Sequence, residues 1–171
     1  MSFVQSLRAA TASDHDRVDA TFGGFALGDA AGYRRFLLAH GRALPAVEAA
    51  LAAAAHALPA WRPRTAALAD DLAALGEAMP PPLDFGVANE AESWGALYVI
   101  EGSRLGGQLL ARSVPAGLPA AYLSARHLSG EWRALLAALD ARAAAEGDDW
   151  RTAATAGARA TFALYARAAA V

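Results

Sequence analysis

Cysteine is absent from the 171 residues, which removes disulfides, thiolate metal sites and cysteine nucleophiles and permits a reducing compartment. Lysine is absent too, since all 15 basic residues are arginine; this fits GC-rich coding and points to no mechanism. No run approaches the roughly 18 apolar residues of a membrane span. The opening "MSFVQSLRAATASDHD" lacks the basic start and apolar core of a secretory signal. A net charge of -2 gives no global reason to expect nucleic acid or an anionic membrane as partner. The expectation is a cytoplasmic chain with neither partner.

Strands are missing as well. The apolar residues, largely alanine, recur at spacings of three and four rather than two, so the chain reads as helical throughout. At this length it forms one domain, residues 1–171, burying roughly 70% of the surface exposed by the unfolded chain. A first helix is expected from Ser2, as N-cap, to Phe22, ended by Gly23 and Gly24. Asp29 opens a second helix through about Ala57, kinked at Pro45. A third runs from Pro63 to about Leu75. "PPPLDFG", from Pro80 to Gly86, is a loop. Asn89 and Glu92 read as a capping box opening a fourth helix that stops before Pro115. "AGLPAAYL" reads as loop, and helices near 130–145 and 149–169, capped by Ser129 and Asp148, complete an all-α domain of six or seven helices.

Of the four histidines, His15, His40, His56 and His127, the first has informative neighbours. It shares a helical face with Leu7, Thr11, Val18 and Phe22, which points it towards the core. Asp19, one turn on, is placed to accept from the imidazole N–H and raise the basicity of the other nitrogen. Arg8 lies almost in line, about 10 Å earlier along the axis. Cation, imidazole and carboxylate in a row suit a large anionic ligand whose metal His15 holds; the alternative is a packed imidazole flanked by two surface charges.

The fourth helix carries Gly102, Gly106 and Gly107, although each interior glycine costs roughly 1 kcal/mol relative to alanine. Gly102 and Gly106 share a face, and Gly95 lies on it too. A bare face admits either a neighbouring helix or a flat ligand. Ser103 could hold a water beside such a ligand.

"LRAATASDHDRVDATF", residues 7 to 22, and "GALYVIEGSRLGGQLLARSV", residues 95 to 114, together resemble the proximal and distal helices of haem oxygenases, in particular the bacterial, biliverdin-producing type associated with bacteriophytochromes. Only these two segments are specific, though the element order agrees over most of the chain. The resemblance implies that His15 is the proximal ligand to haem iron, Asp19 the acidic group behind it, and Arg8 a partner for a propionate. It implies that Gly102, Gly106 and Gly107 admit haem and oxygen. Haem would be both cofactor and substrate, yielding biliverdin, carbon monoxide and ferrous iron, with electrons from a ferredoxin or reductase and biliverdin passing to a bacteriophytochrome. Many members of the family carry aspartate where this chain has Ser103, and serine positions a water without being an ionised acceptor. Leu97 and Tyr98 leave the propionate-facing tyrosine unassigned, and Arg133 and Arg159 are further propionate candidates.

Two rivals are excluded by the residues: a thiaminase-like enzyme needs a cysteine nucleophile, and a ferritin-like di-iron site needs Glu-x-x-His motifs. Two remain open. One is a haem-binding or sensor protein without turnover, and the other an interaction domain on the same scaffold that takes no haem.

Overall fold

The computed structural model describes residues 1–170, and among these the chain is all helix and loop. Seven α-helices follow in order: α1 (Phe3–Phe22), α2 (Ala30–Ala53), α3 (Thr65–Ala74), α4 (Glu90–Ala111), α5 (Ala121–Ser124), α6 (Glu131–Glu146) and α7 (Asp148–Ala169). α7 is the hub. It packs against α4, α1, α2 and α6, whereas α1 and α4 make no substantial contact with each other and so stand apart across a cleft.

α1 begins where the sequence puts it. The Ser2 hydroxyl accepts from the backbone of Gln5 while the Gln5 amide oxygen accepts from Ser2, a reciprocal box that satisfies two otherwise orphaned donors. α2 starts at Asp29, whose carboxylate accepts from Gly32 N–H at 2.7 Å. It then runs through Pro45 to Ala53, and Ala55–Ala57 tightens into a 3₁₀ turn rather than continuing as α-helix. By length and composition α2 is apolar enough to cross a membrane, but half of that stretch is buried within the protein. Its leucines and aromatics supply the centre of the core, among them Phe36, Leu37, Leu44 and Leu51.

Several expected boundaries move because a distant residue decides them. α3 starts at Thr65, not Pro63, because the buried Glu48 carboxylate of α2 accepts from the backbone N–H groups of Arg64 and Thr65. In α4, Asn89 caps Glu92 as expected, but the Glu92 carboxylate reaches back to Ala88 rather than to Asn89. "AGLPAAYL" is not wholly loop: α5 forms there, its first N–H groups held by the two oxygens of Asp71 from α3. Ser129 and Asp148 are not caps. Gly130 and Gly147 precede α6 and α7 with φ of 84° and 88°, a region that glycine enters without steric penalty.

Candidate active site

The cleft between α1 and α4 has a volume of about 540 Å³, well inside the roughly 300–1,000 Å³ of small-molecule sites. From α1 it is lined by Arg8, Thr11, His15, Asp19 and Phe22. α4 contributes Tyr98, Ile100, Gly102, Ser103, Gly106 and Leu110. His40 of α2, Arg64, Tyr122 of α5, Trp132 of α6, and Phe162 and Tyr165 of α7 close it.

His15 is not a core residue. Leu7, Thr11 and Phe22 on its face are buried, but at His15 that face opens into the cleft and the side chain is 58% exposed. Its Nδ1 stands 3.3 Å from Asp19 Oδ2 and 3.9 Å from Asp16 Oδ1, which leaves Nε2 for a ligand. The Phe162 ring meets the imidazole edge-on at 5.9 Å. Arg8 is exposed on the same lining. Tyr98, rather than the fully buried Leu97, reaches the cleft, and its hydroxyl lies within electrostatic reach of Arg8. Burial raises the Tyr98 pKa, so it stays a neutral donor. Arg159 does not join them: it donates to Ala10 O and pairs with Asp14. Arg133 is exposed and outside the cleft lining.

The four glycines of α4 separate by what a side chain would meet. At Gly106 a Cβ would have no neighbour within 4 Å, so this position faces the open cleft. At Gly102 it would come 3.3 Å from the Trp132 ring, so an indole already fills part of that space. Gly107 also lines the cleft, and a Cβ there would lie 3.1 Å from Leu123 O, so its bareness serves packing against α5 as well. Gly95 is likewise a helix-packing glycine, its Cβ position 1.8 Å from the backbone oxygen of Ala154.

Ser103 is engaged. Its hydroxyl donates to Ile100 O at 2.6 Å and accepts from Arg64 Nη2 at 2.7 Å. Arg64 escaped the sequence reading: "WRPRT" looks like a helix start, and nothing local says that the arginine turns inward. Its guanidinium is buried, also donates to Ile100 O, lies 5.3 Å from the centre of the Tyr122 ring and has no carboxylate partner; its Nε has no hydrogen-bond partner. Burying a cation costs several kcal/mol; here the two hydrogen bonds and the Tyr122 ring offset that cost and no carboxylate does.

His40 was also missed, because its helical face gives no chemical signal. Its Nδ1 shares a 2.6 Å hydrogen bond with the Tyr122 hydroxyl, and Phe22 and Phe36 pack on its ring. Burial, and secondarily the Arg64 charge, lower its pKa to about 3. The folded protein therefore refuses a proton that the unfolded chain accepts near the ordinary value of 6.5. Stability from this group is full above that pH and is lost as pH falls towards 3, with a slope of up to about 1.4 kcal/mol per pH unit for one proton. Urea melts of the apo-protein at about pH 7 and pH 5 should show the loss in the wild type and a shallower one in His40→Gln; equal slopes would place the acid sensitivity elsewhere.

Haem fits this arrangement on three observations: a cleft of suitable volume, a histidine nitrogen with no other partner, and a buried guanidinium without a counter-ion. An all-α fold whose cleft sets a carboxylate-backed histidine on one helix against bare glycines on another suits a flat, metal-bearing ligand. No family model matches the chain. A haem oxygenase from Xanthomonas campestris is 42% identical over 118 residues, a match spanning 61% of this chain and 66% of that protein, just under two thirds of its length. The NO- and CO-bound haem oxygenase structure from Neisseria meningitidis superposes with a TM-score of 0.82 at 26% identity, covering 99% of this chain and 90% of that one. The chain thus has the all-α fold of a solved haem oxygenase and is similar in sequence to a second one over most of its length.

Proposed function

We propose that the protein is a haem oxygenase that takes haem between α1 and α4, with His15 as the iron ligand. The observation carrying this reading is the His15–Asp19 pair on one side of the cleft with the open Gly106 face on the other. Haem supplies the redox iron and the meso carbon at which its own ring opens, giving biliverdin, carbon monoxide and ferrous iron from oxygen and electrons of a ferredoxin or reductase. The chain's residues do the rest. Asp19 accepts from His15 Nδ1–H, which fixes the tautomer and makes Nε2 the stronger base. Arg8 and Tyr98 receive propionate at the mouth. The Ser103 hydroxyl has spent its proton on Ile100 O and one lone pair on Arg64, so its remaining lone pair holds a water only as that water's acceptor. Arg64 sets a positive field where the usual family carboxylate is missing. Cytoplasmic location and delivery of biliverdin to a bacteriophytochrome belong to this reading.

Ser103 favours one rival, a haem-binding sensor without turnover, because no ionisable group stands at its position. Reconstitution with ferric haem followed by reduction in air decides between them. The enzyme converts the Soret spectrum to that of biliverdin; a sensor keeps it, and a chain with no Soret shift binds no haem. In the same titration Arg8→Glu should weaken haem binding by about tenfold or more, since one charge-assisted bond is worth about 1.5–3 kcal/mol. Unchanged affinity at low salt would remove Arg8 from the site.

A further inference from the structure

The walls of the cleft differ in kind. One side, from α2, α5 and the segment before α3, is polar and carries His40, Tyr122 and Arg64. The other is an aromatic edge: Trp132 of α6 stacks on Tyr98 at 5.8 Å and 27° and on His127 at 5.5 Å and 23°. α2 and α6 both pack on α4 without substantial contact with each other, so the two walls are built independently. The indole reaches the α4 backbone because residue 102 is glycine.

The aromatic edge is held from behind. His127 Nε2 lies 3.3 Å from Glu101 Oε2, Glu101 accepts from Arg104 Nε with both oxygens, and Arg104 donates to Arg62 O, all with the side chains of His127, Glu101 and Arg104 buried. The hydrogen-bonded part of this cluster, Glu101 with Arg104, is rigid; His127, whose ring nitrogens have no hydrogen-bond partner, is held between that pair and the indole by packing. Arg8, by contrast, is an exposed side chain and the only arginine of the lining besides the buried Arg64. Arg8 and Tyr98 hold the propionate edge at the mouth alone, which leaves the far side of the macrocycle without a contact against turning about its axial bond. A second, rigid contact is needed to stop it.

Resting on the haem-binding reading above, we propose that Trp132 is the specificity-determining contact of this cleft: the indole, seated on Gly102 and braced through His127 and Glu101, sets the in-plane rotation of the porphyrin and hence which meso carbon is oxidised. The flat indole rim fills one quadrant beside α4, and a ring rotated so that a bulky substituent enters that quadrant is refused. Trp132 itself exchanges no proton and touches no iron.

The test reads orientation rather than turnover. Wild type, Trp132→Phe and Trp132→Leu are loaded with ferric haem and cyanide, and the haem-methyl proton resonances are recorded. The wild type should give one dominant set, and Trp132→Leu a second set of about a tenth or more, meaning that at most about 1.4 kcal/mol separates the two rotations; Trp132→Phe should lie between. The bilin isomer ratio should shift with the resonance sets. Gly102→Ala adds a methyl 3.3 Å from the indole, so it should disturb the pattern in the wild type and not in Trp132→Leu, which also covers the case that one variant folds poorly. A single unchanged set in Trp132→Leu and in Gly102→Ala, with normal haem uptake, overturns the role of Trp132 alone. A wild type that takes up no haem overturns the underlying reading with it.

Discussion

Replacing His15 with alanine is expected to abolish haem turnover and the axial-histidine signature while leaving the apo fold in place. The imidazole is exposed in the cleft and touches the core only through the edge of Phe162. What the fold loses is one exposed pair with Asp19 spaced four residues along the helix, worth about 0.3–0.5 kcal/mol. The ligand field loses everything. Added imidazole should restore part of the low-spin spectrum, because the cleft has room for it once the side chain is cut back. The competing ligand is His40, which also lines the cleft. Its Nδ1 is committed to Tyr122 and its ring is packed among Phe22, Phe36 and Tyr165, so His40→Ala should keep the axial signature that His15→Ala destroys. Circular dichroism, apo melting and the ferric spectrum of both variants check this. Retention of the wild-type spectrum by His15→Ala would exclude it as the ligand.

What the sequence made legible follows the range of the interactions involved. α1 was readable to the residue because its cap, Ser2 with Gln5, is three positions wide. The His15–Asp19 pair was readable because one helical turn joins it. α5 was not, because its first N–H groups depend on Asp71, about fifty residues earlier. Nor was the start of α3, which Glu48 of another helix decides. Arg64 is the sharpest case. Its chemistry arises from meeting Ser103 and Ile100 across thirty-six to thirty-nine positions, and no local pattern separates such an arginine from a solvated one. The side on which His15 lies was predicted correctly and its burial was not: periodicity gives a direction, whereas whether that direction ends in core or cleft depends on how far α7 holds α1 from α4.

The glycines of α4 carry the last prediction, which turns one sequence motif into two opposite signs. Gly95 and Gly157 are where α4 and α7 press backbone to backbone: a Cβ on Gly95 would fall 1.8 Å from Ala154 O, and one on Gly157 would fall 2.1 Å from Glu92 O. Backbone cannot rotate away as a side chain can, so the helices must separate. Since α7 also carries α1, the damage spreads to the whole cleft. Gly95→Ala should destabilise the apo-protein by about 3 kcal/mol or more, the upper end of overpacking, lowering the melting temperature by about 6–12 °C in a chain of this size. Gly106 has no atom near its Cβ position, so Gly106→Ala adds only helix propensity, up to about 1 kcal/mol, and should raise the apo melting temperature by about 2–4 °C. Gly106→Leu should likewise keep or raise apo stability, yet it projects a butyl group into the space that haem and oxygen need, and biliverdin yield per folded molecule should fall at least tenfold. Each glycine in the row thus has its own purpose, separable by measuring apo melting and biliverdin yield on the three variants. A destabilised Gly106→Leu with full turnover per folded molecule would make residue 106 a packing glycine like residue 95, and the open face of α4 would then have to lie elsewhere.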